Sequence, residues 1–184
     1  MTWIKEFRQE EVGLTSELLQ RLIAEGQLYL FSQQNDGEDF SFAKTYRRRD
    51  LHLPCDLQVG VENVFKNIMP EMDVTFNSLL LLRFELPGAF DETCWHYDNN
   101  ADSPTESENG ITMILYTQKD PTVIGGDLLY KLPDSDTIHR IKVCPGVVVV
   151  FPDTLFHTAE AMAGEGRREA FVFFLSLKAH NPSS

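Results

Sequence analysis

The chain has 184 residues with 42% hydrophobic and 11% aromatic content, which supports one sizeable core and argues against a disordered chain. Its 16 basic and 28 acidic side chains give a formal net charge of −12, a field that repels polyanions and makes nucleic acid an unfavoured partner. No apolar run approaches the roughly 20 residues of a membrane span, charge interrupts the first residues where a secretory leader would be apolar, and the three cysteines form no CxxC pair, so a cytoplasmic protein with reduced thiols is expected.

Residues 1–78 read as a mainly helical, substrate-side segment of a single domain, 1–184. Thr15 or Ser16 caps a helix over 15–24, where Leu18, Leu19, Leu22 and Ile23 recur at helical spacing and Gly26 ends the run. After a polar stretch, alternating apolar positions over 40–46 predict one or two short strands. Arg47, Arg48 and Arg49 form the dense basic cluster of an acidic chain. They make either a solvated loop that balances nearby acids or a grip on a substrate carboxylate, with Arg47 as the candidate. A second helix is predicted over 57–69, with Val61, Val64, Phe65 and Ile68 on one face and Pro70 as its stop.

From residue 79 the texture changes. Short β-rich runs follow at 79–86, 94–98, 111–117, 127–132, 137–143, 146–151, 155–159 and 169–178. Turn residues separate them at Pro87-Gly88, Gly125-Gly126, Pro133-Asp134, Pro145-Gly146 and Gly164-Glu165-Gly166. Such punctuation predicts an antiparallel sandwich or barrel backed by the N-terminal helices, a mainly β (α+β) fold. The polar segment 99–110 is expected to be an exposed loop, either a lid over substrate or a plain surface excursion, and Asn100 is its candidate substrate contact. The sequence specifies no oligomeric state.

His96 and Asp98 sit at i and i+2, which on a strand places both on one face. His157 falls in a later strand-like run. Two imidazoles and a carboxylate suit iron(II) with positions left open for other ligands. A closed structural zinc site needs a fourth protein ligand, and no further His or Cys has suitable spacing. His52, His139 and His180 therefore read as surface or structural residues, and Trp95 and Tyr97, alternating with the ligands, as packing residues. Arg168 opens an apolar run. A guanidinium there is costly to bury unless it meets an anion, and its fork matches a carboxylate. Alternation lets only one of Arg167 and Arg168 point inward.

In order and spacing, residues 79–178 resemble the double-stranded β-helix (jelly-roll) core of the Fe(II)/2-oxoglutarate-dependent dioxygenases, nearest to their prolyl-4-hydroxylase-like branch. The matching pieces are His96-x-Asp98, the run Ile111 to Tyr116, Gly125-Gly126-x-Leu128, Pro145-Gly146, Phe151-Pro152, His157 and Gly166-x-Arg168-x-Ala170-Phe171. The resemblance implies His96, Asp98 and His157 as catalytic metal ligands, and Arg168 rather than Arg167 on the distal carboxylate of 2-oxoglutarate. Tyr116 would hydrogen-bond the same carboxylate. It implies iron(II), 2-oxoglutarate and dioxygen as cofactor and cosubstrates, with ascorbate supporting activity. The implied reaction hydroxylates a C–H bond of a small molecule, such as an amino acid or derivative, or of a peptidyl side chain, and releases succinate and carbon dioxide. The carboxylate of Asp98 favours hydroxylation over halogenation, because related halogenases lack it. One departure is Phe84 and Leu86, where many relatives carry a tyrosine near the cosubstrate, so either contacts there are apolar or Tyr116 acts alone. A cupin-type metal-binding sandwich with other chemistry is the alternative, although cupins use more histidines and have no role for Arg168. A non-enzymatic binding module would make the four groups coincidental.

Overall fold

A computed structural model describes residues 3–32, 39–40, 43–48, 53–87, 95–98 and 110–178. In chain order the elements are β1 (Lys5–Arg8), α1 (Ser16–Ser32), β2 (Asp39–Phe40), β3 (Ala43–Arg48), α2 (Cys55–Ile68), β4 (Val74–Pro87), β5 (Gly110–Lys119) and β6 (Val123–Gly125). They continue with β7 (Leu128–Lys131), β8 (Ile138–Ile141), β9 (Val147–Pro152), β10 (Phe156–Ala159) and β11 (Met162–Leu177). The larger sheet runs β1-β9-β5-β11-β4-β3-β2, with β6 against the start of β11, and the smaller runs β10-β7-β8. Neighbouring strands are antiparallel throughout.

Alternation along the central strands separates two cores. On β5, Ile111, Met113 and Leu115 join Leu79 and Leu81 of β4 and Phe171 and Phe173 of β11 under the helices. The apolar stripe of α2 (Leu57, Val61, Val64, Phe65, Ile68) and Leu22 of α1 complete that layer. The intervening residues Ile114, Tyr116, Val149, Phe151, Ala170 and Val172 pack between the two sheets with Leu128, Ile141 and Leu155. This is the double-stranded β-helix with helices on one sheet that the sequence predicts. Each fully buried Leu, Val or Phe contributes about 1.5–3 kcal/mol over exposure. The inner core places the site, because it holds the strands bearing His157 and Arg168 at fixed separation.

Several boundaries differ from the sequence reading. Thr15 does cap α1, accepting a hydrogen bond from the Leu18 amide at 3.2 Å, but the helix passes Gly26 and ends at Ser32. A glycine inside a helix costs about 1 kcal/mol, and the following Gln27, Leu28, Tyr29 and Leu30 include good helix formers that carry the helix on. Helix α2 and the short strands β2 and β3 lie close to expectation, and Met69 ends α2 just before Pro70. β1 and β6 are elements the periodicity does not predict. The first is a polar edge strand whose Phe7 lies opposite Val148, so its charges mask the pattern. β11 starts at Met162, not near 169. Gly164 and Gly166 act as strand residues at φ +100° and +117°, and a Cβ on Gly164 would lie 2.2 Å from the Thr122 carbonyl oxygen.

The predicted strand 94–98 is not one. Its pairing reduces to a single bridge, in which His96 N–H donates to the His157 carbonyl (3.0 Å) and His157 N–H to the His96 carbonyl (3.1 Å). Asp98 N–H then turns away to the Asp153 carbonyl at 3.0 Å. Cys94 lies outside the described residues. No helix among the described residues is long and apolar enough to cross a membrane.

Candidate metal centre

His96, Asp98 and His157 come together although the chain separates His157 from the other two. One ligating atom from each lies within 4.8 Å of the others. Asp98 Oδ1 is 3.6 Å from His96 Nε2, and Asp98 Oδ2 is 3.7 Å from His157 Nε2. Both distances exceed a hydrogen bond, so the three groups face a common point without bonding to one another across it. With metal–ligand bonds of about 2.1 Å, donors at right angles lie about 3 Å apart, a spacing these side chains reach by small adjustments.

The surroundings fix the donor atoms. His157 is buried, and its Nδ1–H donates to the Leu155 carbonyl at 2.9 Å. A carbonyl only accepts, so Nε2 keeps its lone pair for the shared point. Burial pushes the His157 pKa below the ordinary imidazole value, with the Asp98 charge opposing in part; the neutral, ligating form is favoured. The Phe151 ring meets the His157 ring edge-on, with centroids 4.8 Å apart. The Thr112 hydroxyl donates to Asp98 Oδ2 at 2.6 Å and sets the carboxylate plane. His96 is the open side of the site, its side chain 47% exposed. Imidazole and carboxylate donors of this kind fit a divalent transition metal.

A second feature lies deeper between the sheets. Arg168 is buried, and its Nε–H donates to the Gly126 carbonyl at 2.8 Å. Its guanidinium carbon sits 5.5 Å from the Phe84 ring centroid and 5.1 Å from that of Tyr116, a cation–π sandwich. Burial lowers the Arg168 pKa, but an arginine remains charged at neutral pH. Among the described residues no carboxylate forms an ion pair with it. The Asp127 charge reaches it, yet that carboxylate is engaged by Lys119 at 3.0 Å. Burial pushes the Tyr116 phenol up to about 12, against the opposing pull of Arg168, so it keeps its proton. The residue that hydrogen-bonds Asp98, Thr112, and Tyr116 lie on the same face of β5, about 13 Å apart at roughly 3.3 Å per residue.

Gly126 makes this cradle possible. It sits at φ +75°, and a Cβ at this position would lie 3.0 Å from Arg168 Cδ and 2.9 Å from Met162 Cγ, so a larger residue would collide with the arginine stem.

Arg47 lies in β3 opposite Leu82, Arg48 ends that strand, and Arg49 and Asn100 lie outside the described residues. So do His52, His180 and all of 99–110 except Gly110, the first residue of β5. Leu86 pairs with Gly166 in β4. Trp95 and Tyr97 flank Phe156 at 5.3 and 4.9 Å between centroids, and His139 stacks on Tyr130. Thr112, which bonds Asp98, and the Lys119–Asp127 ion pair near Arg168 are features that the sequence alone does not single out. A signal for Asp127 exists in the glycine pair that precedes it; Thr112, on a buried strand, offers none.

No family of known sequences matches the chain, and no curated protein matches it in sequence. Solved structures do. A Pseudomonas putida prolyl-4-hydroxylase is 14% identical, with 97% of this chain and 95% of that one covered and a TM-score of 0.60. The non-heme alpha-ketoglutarate-dependent carbocyclase SnoK from nogalamycin biosynthesis is 13% identical, covers 95% and 79%, and gives a TM-score of 0.68. HygX from Streptomyces hygroscopicus, solved with nickel and 2-oxoglutarate bound, is 12% identical, covers 95% and 83%, and gives 0.62. The fold is therefore that of the 2-oxoglutarate–Fe(II) oxygenases.

Proposed function

We propose that the protein is an iron(II)- and 2-oxoglutarate-dependent oxygenase that hydroxylates a C–H bond of a small molecule, such as an amino acid or derivative, or of a peptidyl side chain. The observation that carries this reading is Arg168: a buried cation with no carboxylate paired to it among the described residues, set against Tyr116, which shares the inner core with the Phe151 that packs on the His157 ring. Burying such a charge is costly unless an anion completes it. A cupin-type chemistry leaves that arginine unexplained.

In this reading His96, Asp98 and His157 hold iron(II), and Arg168 binds the far carboxylate of 2-oxoglutarate, with the Tyr116 hydroxyl donating to the same group. Iron(II) there supplies the coupling of 2-oxoglutarate decarboxylation to transfer of one dioxygen atom into a substrate C–H bond, leaving succinate and carbon dioxide. The chain's own part is placement. Leu155 fixes the His157 tautomer, Thr112 orients Asp98, and Phe84 with Tyr116 keeps water from the guanidinium. The open side at His96 is the approach for substrate. Arg47 and Asn100 remain the proposed substrate contacts, and the net charge of −12 favours a substrate other than nucleic acid. Cys55 and Cys144 are free thiols, in keeping with a cytoplasmic location.

The test is succinate formation by the purified protein with iron(II), ascorbate and 2-oxoglutarate. Wild type should form succinate slowly even without a prime substrate, and Asp98→Ala and Arg168→Met should not. Equal rates in all three would remove the assignment.

A further inference from the structure

A buried arginine that is to receive an external anion needs protection from its own protein. Any carboxylate free to swing toward Arg168 would neutralise it and close the anion site. Asp127 is the carboxylate beside this site, since its ion-pair partner Lys119 lies directly opposite Arg168 across the β5–β11 ladder. It directly follows Gly126, whose carbonyl holds Arg168 Nε, and its side chain is nearly buried.

Asp127 is held elsewhere. Its Oδ1 accepts from Lys119 Nζ at 3.0 Å and from the Val143 backbone N–H at 3.1 Å. Lys119 reaches it because of an irregularity in β5. Tyr116 lies opposite Ala170, but Gln118 lies opposite Glu169 and Lys119 opposite Arg168, so Thr117 is an extra residue in the ladder. Without that bulge, strict alternation would send residue 119 to the face away from Tyr116. Thr117 itself is anchored on the other side by its hydroxyl bond to Glu169 Oε1 at 3.0 Å. Glu169 in turn pairs with Arg83 at 2.6 Å on the helix-facing side. Asp127 and Glu169 thus each have a dedicated cation, Lys119 for the first and Arg83 for the second.

We propose that Lys119 is a positioning residue: by engaging Asp127 beside the Gly126 turn, it keeps the Arg168 guanidinium available for the carboxylate of an external ligand. The proposal rests on the reading of Arg168 as the anchor for 2-oxoglutarate. It makes Asp127 a latent competitor, and it predicts that loss of the lysine is harmful only while the aspartate is present.

The experiment is calorimetric titration of 2-oxoglutarate into the iron(II)-loaded protein under argon, with wild type, Lys119→Met, Lys119→Arg, Asp127→Asn and the double variant Lys119→Met/Asp127→Asn. Circular dichroism confirms that each is folded. Lys119→Met should weaken binding by about tenfold or more, since a nearby carboxylate then competes for a charge-assisted pair. The double variant should recover to within about threefold of wild type, as should Asp127→Asn alone, whose amide oxygen still accepts from Val143. Lys119→Arg should bind normally. In turnover, Lys119→Met should raise the KM for 2-oxoglutarate and leave kcat close to wild type. Unchanged binding in Lys119→Met, or a double variant no better than the single one, would overturn the proposal while leaving the cosubstrate reading intact. A wild type that takes up no 2-oxoglutarate would overturn both.

Discussion

Replacing Arg168 by methionine separates a cosubstrate anchor from a structural clamp, because the two roles predict opposite results. Methionine keeps most of the stem and removes the charge. The folded protein loses one hydrogen bond, from Nε to the Gly126 carbonyl, worth about 1 kcal/mol, and two cation–π contacts of about 0.5–2 kcal/mol each. Against this, it no longer buries a guanidinium without a paired carboxylate, an effective penalty of several kcal/mol. The terms nearly cancel. Stability should stay within about 1 kcal/mol of wild type, or about 2–4 °C in Tm for a chain of this size. Binding of 2-oxoglutarate should collapse. A bidentate guanidinium–carboxylate pair has two charge-assisted hydrogen bonds of about 1.5–3 kcal/mol each, so the Kd should rise by about a hundredfold or more. The assays are thermal denaturation of the metal-free protein and calorimetric titration of the iron(II)-loaded protein under argon. A variant that melts far below wild type yet binds 2-oxoglutarate normally would refute the reasoning and make Arg168 a strut of the sandwich.

Three further outcomes follow from the same geometry. Gly126→Ala combines a left-handed backbone cost of about 1–2 kcal/mol with a forced shift of Met162 and the Arg168 stem, so it should both lower Tm and weaken 2-oxoglutarate binding; a melt or a titration that matches wild type would contradict it. Thr112→Val removes the hydroxyl that orients Asp98 at nearly constant volume, and equilibrium metal titration should show affinity falling about tenfold to a hundredfold. Tyr116 has its folded pKa raised from 10.0 to about 12, so the stability tied to its protonated phenol is full below pH 10 and is lost as pH rises through about 12. Denaturant melts of Tyr116→Phe should accordingly lose less stability than wild type between pH 10 and pH 12, and parallel losses would show that the phenol is not buried as described.

What the sequence makes legible follows from periodicity. On β5 the alternation of Ile111, Met113 and Leu115 with Thr112, Ile114 and Tyr116 sorts residues to two different sides of the sheet, and both the strand and its function as a central partition can be read from it. Alternation also separates Arg168 from Arg167. What stays hidden depends on contacts between distant segments. The bridge of His96 to His157 is one residue pair long, so a ligand pair that reads as a strand is really held by two exchanged hydrogen bonds and a turn toward Asp153. The glycines at 164 and 166 look like a break because glycine usually interrupts strands; here the close approach of Thr122 to Gly164 and of Asp120 to Gly166 requires them inside one. The bulge at Thr117 leaves no mark in the local sequence, and with it the meeting of Lys119 and Asp127 stays invisible until the strands are aligned.

The most direct test of the central claim is the visible absorption of the iron(II)-loaded protein under argon as 2-oxoglutarate is added. A charge-transfer band should appear, saturate at one equivalent of cosubstrate and be absent from Asp98→Ala. A wild-type spectrum that stays unchanged at saturating 2-oxoglutarate would mean that the triad and Arg168 do not act on one ligand, and the proposed chemistry would fall.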